Sequence, residues 1–227
     1  MSRSAQSLAS KGAGRTPALP IMRVARRAPA LALAGSLLAV ALWAAEAPSQ
    51  PPPLSIRSSQ PLVVYGEQIR VSGVLRGRPA GTSVTVYVRR HGESAFAPVN
   101  AAETDAGGAW SYSFEPTIRS SVQARSGELT SETMTVRVRP RLTLRRRGES
   151  LLARAVAARS FRGRHVWFQR RSGGTWRSVR RVVLDDPPRR FRARLPRGVS
   201  RVRVSLPSAQ AGPGYEPAVS RPVLLRR

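Results

Sequence analysis

The run Val64-Tyr65-Gly66-Glu67-Gln68-Ile69-Arg70-Val71-Ser72-Gly73-Val74 decides the fold class. Tyr65-Gly66-Glu67 has the composition of a turn. From Ile69 onward, apolar Ile69 and Val71 alternate with polar Arg70 and Ser72, the period of a strand with one face buried. Gly81-Thr82-Ser83-Val84-Thr85-Val86 repeats that alternation one turn later. Thr104-Asp105-Ala106-Gly107-Gly108-Ala109-Trp110-Ser111-Tyr112 then joins an Asp-x-Gly turn, read as a hairpin, to a strand on which Trp110, Tyr112 and Phe114 share one face.

Outward from these stretches the pattern holds and no segment sustains a helical period. It predicts strands at Leu54–Arg57, Gln68–Leu75, Ser83–Arg89, Phe96–Glu103, Trp110–Phe114, Ser120–Arg125 and Thr133–Val138. A second set follows at Arg141–Arg145, Ser150–Ala157, His165–Arg170, Trp176–Leu184, Arg190–Leu195, Arg201–Leu206 and Val219–Leu224. Val86-Tyr87-Val88-Arg89-Arg90 aligns with Trp167-Phe168-Gln169-Arg170-Arg171, Trp110 with Phe191, and Val122 and Ala124 with Val202 and Val204, an offset near 80 throughout. The expectation is all-β: two tandem immunoglobulin-like or fibronectin-like β-sandwich domains, 54–138 and 141–227, joined by the short link around Pro140.

The first set of motifs resembles the immunoglobulin-like repeats of bacterial surface and secreted proteins, in which a YGxxVxVSG strand precedes a GxxVxV strand and a TDxxGxW hairpin. The likeness covers most of residues 54–138. It implies a stalk, spacer or adhesion-type module with no shared catalytic residues. The second domain departs from the pattern, with Asp185-Asp186-Pro187-Pro188 where the Gly-rich turn stands in the first.

Before the strands, Met22-Arg23-Val24-Ala25-Arg26-Arg27 and the uncharged, Ala- and Leu-rich stretch 28–45 end in Ala45-Glu46-Ala47. A basic start, an apolar middle and an A-x-A site make residues 1–47 a signal peptide region, with Met22 an alternative start and an uncleaved anchor the alternative fate. Residues 48–53 read as a Pro-rich spacer. The expected location is secreted or cell envelope, membrane-anchored if the segment is uncleaved.

The net charge of +27 is uneven. Residues 139–227 hold 24 of the 39 Lys+Arg residues against 4 of the 12 acids, all of them arginine, so the second domain attracts polyanions. Arg190, Arg192 and Arg194 alternate on one expected strand and Arg201 and Arg203 on the next. With Arg170, Arg171, Arg177, Arg180 and Arg181 they define a polyanion-binding face able to clamp phosphate, carboxylate or sulfate groups. A solvated polar face is the alternative.

Chemistry of other kinds is thin. There is no cysteine, so no disulfide, thiolate metal site or lipobox. His91 and His165, read as occupying similar places in the two repeats, make no metal site alone, and Asp185-Asp186 reads as a turn. No phosphate-binding loop, dinucleotide-binding glycine pattern, serine elbow or zincin motif occurs. The expectation is a nonenzymatic protein without cofactor or metal: an exported structural or adhesion module whose partners are anionic wall polymers, membrane headgroups or polysaccharide. A carbohydrate-binding module using Trp167 or Trp176 is the alternative. A nucleic-acid-binding protein is the more distant alternative, raised by the charge; nucleic acid is not expected as a partner, because an export signal precedes the domains and no recognition helix, zinc finger or aromatic RNA-binding strand motif accompanies the charge.

Overall fold

β-branched and aromatic residues alternating with polar ones form a series of short strands, antiparallel but for one pair, in the computed structural model, which describes residues 52–226. The signal segment expected over 1–47, its alternative start and the spacer before Pro52 lie outside the described residues. No described helix is long and apolar enough to cross a membrane.

The first half runs β1 (Arg57–Ser58), β2 (Leu62–Val64), β3 (Ile69–Val74), β4 (Ser83–Arg90), β5 (Ala97–Glu103), β6 (Ala109–Phe114), β7 (Ser120–Ser126), β8 (Leu129–Thr130) and β9 (Met134–Arg139). One sheet has the order β1-β3-β6 and the other β2-β9-β7-β4-β5, with β8 also on β7. The second half runs β10 (Arg141–Arg147), β11 (Ser150–Val156), β12 (His165–Ser172), β13 (Thr175–Val183), β14 (Arg190–Phe191), β15 (Val199–Leu206), the one-turn helix α1 (Ser208–Ala211), β16 (Ala218–Val219) and β17 (Val223–Arg226). Its sheets are β10-β11-β14 and β13-β12-β15-β16, with β17 also on β15.

The architecture is therefore all-β, with two sheets per half and no strand pairing between halves. Inward positions close the core: Ile69, Val71, Val84, Val86, Trp110, Val122 and Val136 in the first half, and Leu142, Leu151, Val166, Phe168, Val202 and Val204 in the second. In a constant-type immunoglobulin sandwich the fourth strand joins the sheet of the first, second and fifth. Here β5 and β13 stay beside β4 and β12, so each half has a three-strand sheet facing a larger one.

This topology corrects the hairpin reading. The Asp105 turn links β5 in one sheet to β6 in the other, so it is a corner between layers. Asp105 still builds it, as its Oδ1 accepts from the amides of Gly107 at 2.9 Å and Ala109 at 2.8 Å. In the second half the matching corner has no such cap; Asp185 instead lies 3.3 Å from the Arg189 guanidinium.

The expected constant offset also needs correction. Val86 pairs with Ala124 and is followed by a bulge; Phe168 pairs with Val204 and is followed by a bulge. By pairing and bulge Val86 thus matches Phe168, not Trp167, because Val86 and Phe168 face inward and Trp167 faces outward. A buried serine makes the same point. Ser131 Oγ accepts from the Ala124 amide and Ser131 N donates back to the Ala124 carbonyl; Ser220 does the same with Val204. Loops of different length between these landmarks vary the offset. His91 and His165 lie at opposite ends of the corresponding strands, β4 and β12, rather than at similar places.

The link between halves is Pro140 alone, between β9 and β10. Loop 213–216 grips the first half: Arg119 N donates to Gly214 O at 3.0 Å, Tyr215 Oη to Thr117 O at 3.0 Å, and Glu216 N to Val138 O at 2.9 Å. Tyr65 N donates to Arg139 O, and Arg141 Nε to Tyr65 O at 3.0 Å.

Candidate functional site

Alternation along β12 puts Val166 and Phe168 in the core and turns Trp167, Gln169 and Arg171 outward. Residues directly opposite on neighbouring strands share a face, so the register generates the outer surface row by row. Trp167 stands between Arg181 and Ser205, Gln169 between Ser178 and Arg203, and Arg171 opposite Trp176. Rows two residues apart are about 6.8 Å from each other. Arg201, exposed and two residues from Arg203, extends the face along β15.

Side-chain contacts organise this surface. The Arg181 guanidinium lies over the Trp167 ring at 4.9 Å, and that of Arg203 over Trp176 at 4.2 Å. Arg203 Nε donates to Gln169 Oε1 at 2.9 Å, and Gln169 Nε2 donates to Ser178 Oγ at 3.3 Å. Each stacked pair contributes about 0.5–1 kcal/mol. Burial against the indole lowers the Arg203 pKa from its ordinary value, but a guanidinium stays charged throughout the physiological range.

The described residues contain three ion pairs: Arg90 with Glu93, Arg189 with Asp185, and Arg192 with Glu149. Arg171, Arg181, Arg201 and Arg203 therefore face outward with no carboxylate partner. Two of them have their planes set by indoles. Such guanidiniums can donate paired N–H groups to a phosphate, sulfate or carboxylate with little loss of side-chain freedom.

The other six arginines expected on this face are elsewhere. Arg170 and Arg177 face each other, and Arg170 also pairs with inward Val202, which sets both on the inner side of the sheet near its end. The bulge at Phe168/Gln169 resets the alternation of β13, so Arg180 pairs with Phe168 and lies over the Phe191 ring at 5.1 Å. Arg190, Arg192 and Arg194 do not share a strand. Of these only Arg190 lies in a strand, Arg190–Phe191, which pairs with β11 in the opposite sheet. Arg192 lies 3.8 Å from Glu149. Sequence reasoning assumed that the next strand in sequence is the next strand in space, and here the chain changes layer.

Trp176 and Gln169 were not read as members of the arginine face. The outward sequence Trp167-x-Gln169-x-Arg171 was the available signal. Among the described residues no group of three or more His, Asp or Glu is placed to hold a metal ion.

No family model matches the chain, and no curated protein matches it. Among solved structures it is similar to a cytokine receptor complex, with 14% identity over 75% of this chain and 95% of that one, TM-score 0.37. It is also similar to the native conformation of E. coli alpha-2-macroglobulin, with 13% identity over 76% of this chain and 14% of that one, TM-score 0.31.

Proposed function

We propose that the protein is an exported, nonenzymatic structural or adhesion-type module of the cell envelope or exterior, of the bacterial immunoglobulin-like kind, whose second half binds anionic polymers. One observation carries this reading: Arg171, Arg181, Arg201 and Arg203 present uncompensated positive charge on a single sheet face, two of them set against indoles. The partners are anionic wall polymers, phospholipid headgroups or extracellular polysaccharide, attracted over about one Debye length and released by salt. Export rests on the sequence of residues 22–47. Glycan stacking on Trp167 or Trp176 has weaker support, because each indole already carries a guanidinium.

The test is retention of the chain on isolated bacterial envelopes across a salt series, beside the variant R171Q/R181Q/R201Q/R203Q. The expected result is retention that falls steeply with salt and is largely lost in the variant. Equal retention of variant and native chain, or retention indifferent to salt, would overturn the reading.

A further inference from the structure

A second charged feature lies on the first half, on the outer face of the larger sheet. There a groove of about 400 Å³ opens beside the β4–β5 turn. Arg89, Ser121 and Thr135 stand opposite one another on β4, β7 and β9, forming its floor. Val88, Val122 and Val136 are buried on the other side of those strands, so the row of three faces out.

Arg119 reaches the groove from the loop before β7. Its Nη2 lies 2.8 Å from His91 Nδ1. A guanidinium has only donors, so in this contact Arg119 donates to His91 Nδ1. The contact orients Arg119 without compensating its charge. Arg89 is held over the Phe96 ring at 4.8 Å, also without a carboxylate. Glu93 is occupied within its own turn: one oxygen lies 3.4 Å from Arg90 Nη1 and the other accepts from the Arg90 amide at 3.0 Å. Besides the Arg90–Glu93 pair, Arg89, Arg119, Ser121 and Thr135 thus line one concavity, and Glu93 is the one acid among its lining residues.

We propose that this groove is a binding site for a phosphate group, held by the guanidiniums of Arg89 and Arg119 and the hydroxyls of Ser121 and Thr135. A planar carboxylate is satisfied by a single guanidinium fork. Donors arriving from two arginines on different segments, with hydroxyls between them, suit a tetrahedral group with three or four oxygens. The second half takes part in forming the site, since Gly214 and Tyr215 hold the Thr117–Arg119 loop that presents Arg119. The site is separate from the outer face of β12, and neither depends on the other.

The probe is inorganic phosphate, titrated into the full chain while amide and arginine side-chain NMR signals are followed, with chloride at matched ionic strength as control. Saturable shifts at Arg119 and Ser121 are expected with phosphate and not with chloride. Arg119→Gln should raise the midpoint by about tenfold or more, as loss of charge-assisted bonds requires, while Arg197→Gln, at an exposed arginine just before β15, leaves it unchanged. Chloride reproducing the shifts, or an R119Q midpoint equal to the native one, overturns the proposal. If R119Q perturbs the spectrum beyond the groove, S121A/T135V decides instead, and an unchanged midpoint there overturns it equally.

Discussion

Replacing Gly73 by alanine should destabilise the first half severely, although the change is one methyl group in a residue with ordinary backbone angles. A Cβ at this position would collide with Ser55 O and stand 2.7 Å from Ser55 C and 2.9 Å from Trp110 Cε2. The first two are backbone atoms, and a carbonyl oxygen must retreat by more than about 1 Å to reach ordinary contact. That retreat breaks the bonds from Ser55 N to Val74 O and from Val74 N to Ser55 Oγ, both 3.0 Å, and lifts Leu54, which is 1% exposed. Two hydrogen bonds contribute about 1 kcal/mol each, and burial of a leucine about 1.5–3 kcal/mol. The expected loss is therefore about 3–5 kcal/mol. With a urea slope near 2 kcal/mol/M, the midpoint falls by about 1.5–2.5 M. Urea unfolding followed by tryptophan fluorescence measures this directly. Gly107→Ala is the control: its Cβ meets only Asp105 Oδ1 at 3.4 Å, so its effect should stay within about 0.5 kcal/mol. A Gly73→Ala loss below about 1 kcal/mol would refute the reasoning, because it would mean that the Leu54–Ser55 segment is not held against β3.

Asp105→Ala removes an acceptor shared by two amides at the corner between sheets and should cost about 1–3 kcal/mol in the same urea assay; Asp186→Ala should cost less than about 0.5 kcal/mol. Tyr215 has its pKa raised, chiefly by desolvation. A raised folded-state pKa means stability fully present below the unfolded value near 10 and lost as pH rises through the folded value. Tyr215→Phe should therefore remove part of the alkaline decline in stability, seen as a shrinking difference between native and variant unfolding midpoints from pH 9 to 12. At neutral pH the variant should cost about 0.5–1.5 kcal/mol, the contribution of the bond to Thr117 O.

The strands were legible wherever side-chain alternation ran for several residues. Ile69–Val74, Ser83–Arg90 and Val199–Leu206 follow the reading of apolar and polar positions within a residue or two. Alternation failed as a guide in two ways. Residues 190–195 alternate perfectly, yet only Arg190–Phe191 forms a strand, because the period records which face a side chain takes and not whether the backbone joins a sheet. Leu62–Val64, just after Pro61, was not expected as a strand; it is only three residues long and pairs in parallel with β9, far along the chain. Short segments with a distant partner carry almost no local signal.

The candidate site shows the same division. The sequence alone determined that the chain beyond residue 53 is β-structured, that the arginine excess lies after residue 138, and that Trp167 and Phe168 face opposite ways, because composition and a two-residue period are local properties. Only the tertiary structure decided which arginines become neighbours. Arg181 and Arg203 meet across β12 through Trp167, Gln169 and Trp176, while Arg190 falls on the opposite layer. Strand order and the bulge after Phe168 set those neighbours, and both arise from hydrogen bonding between segments far apart in the chain, which no local pattern records.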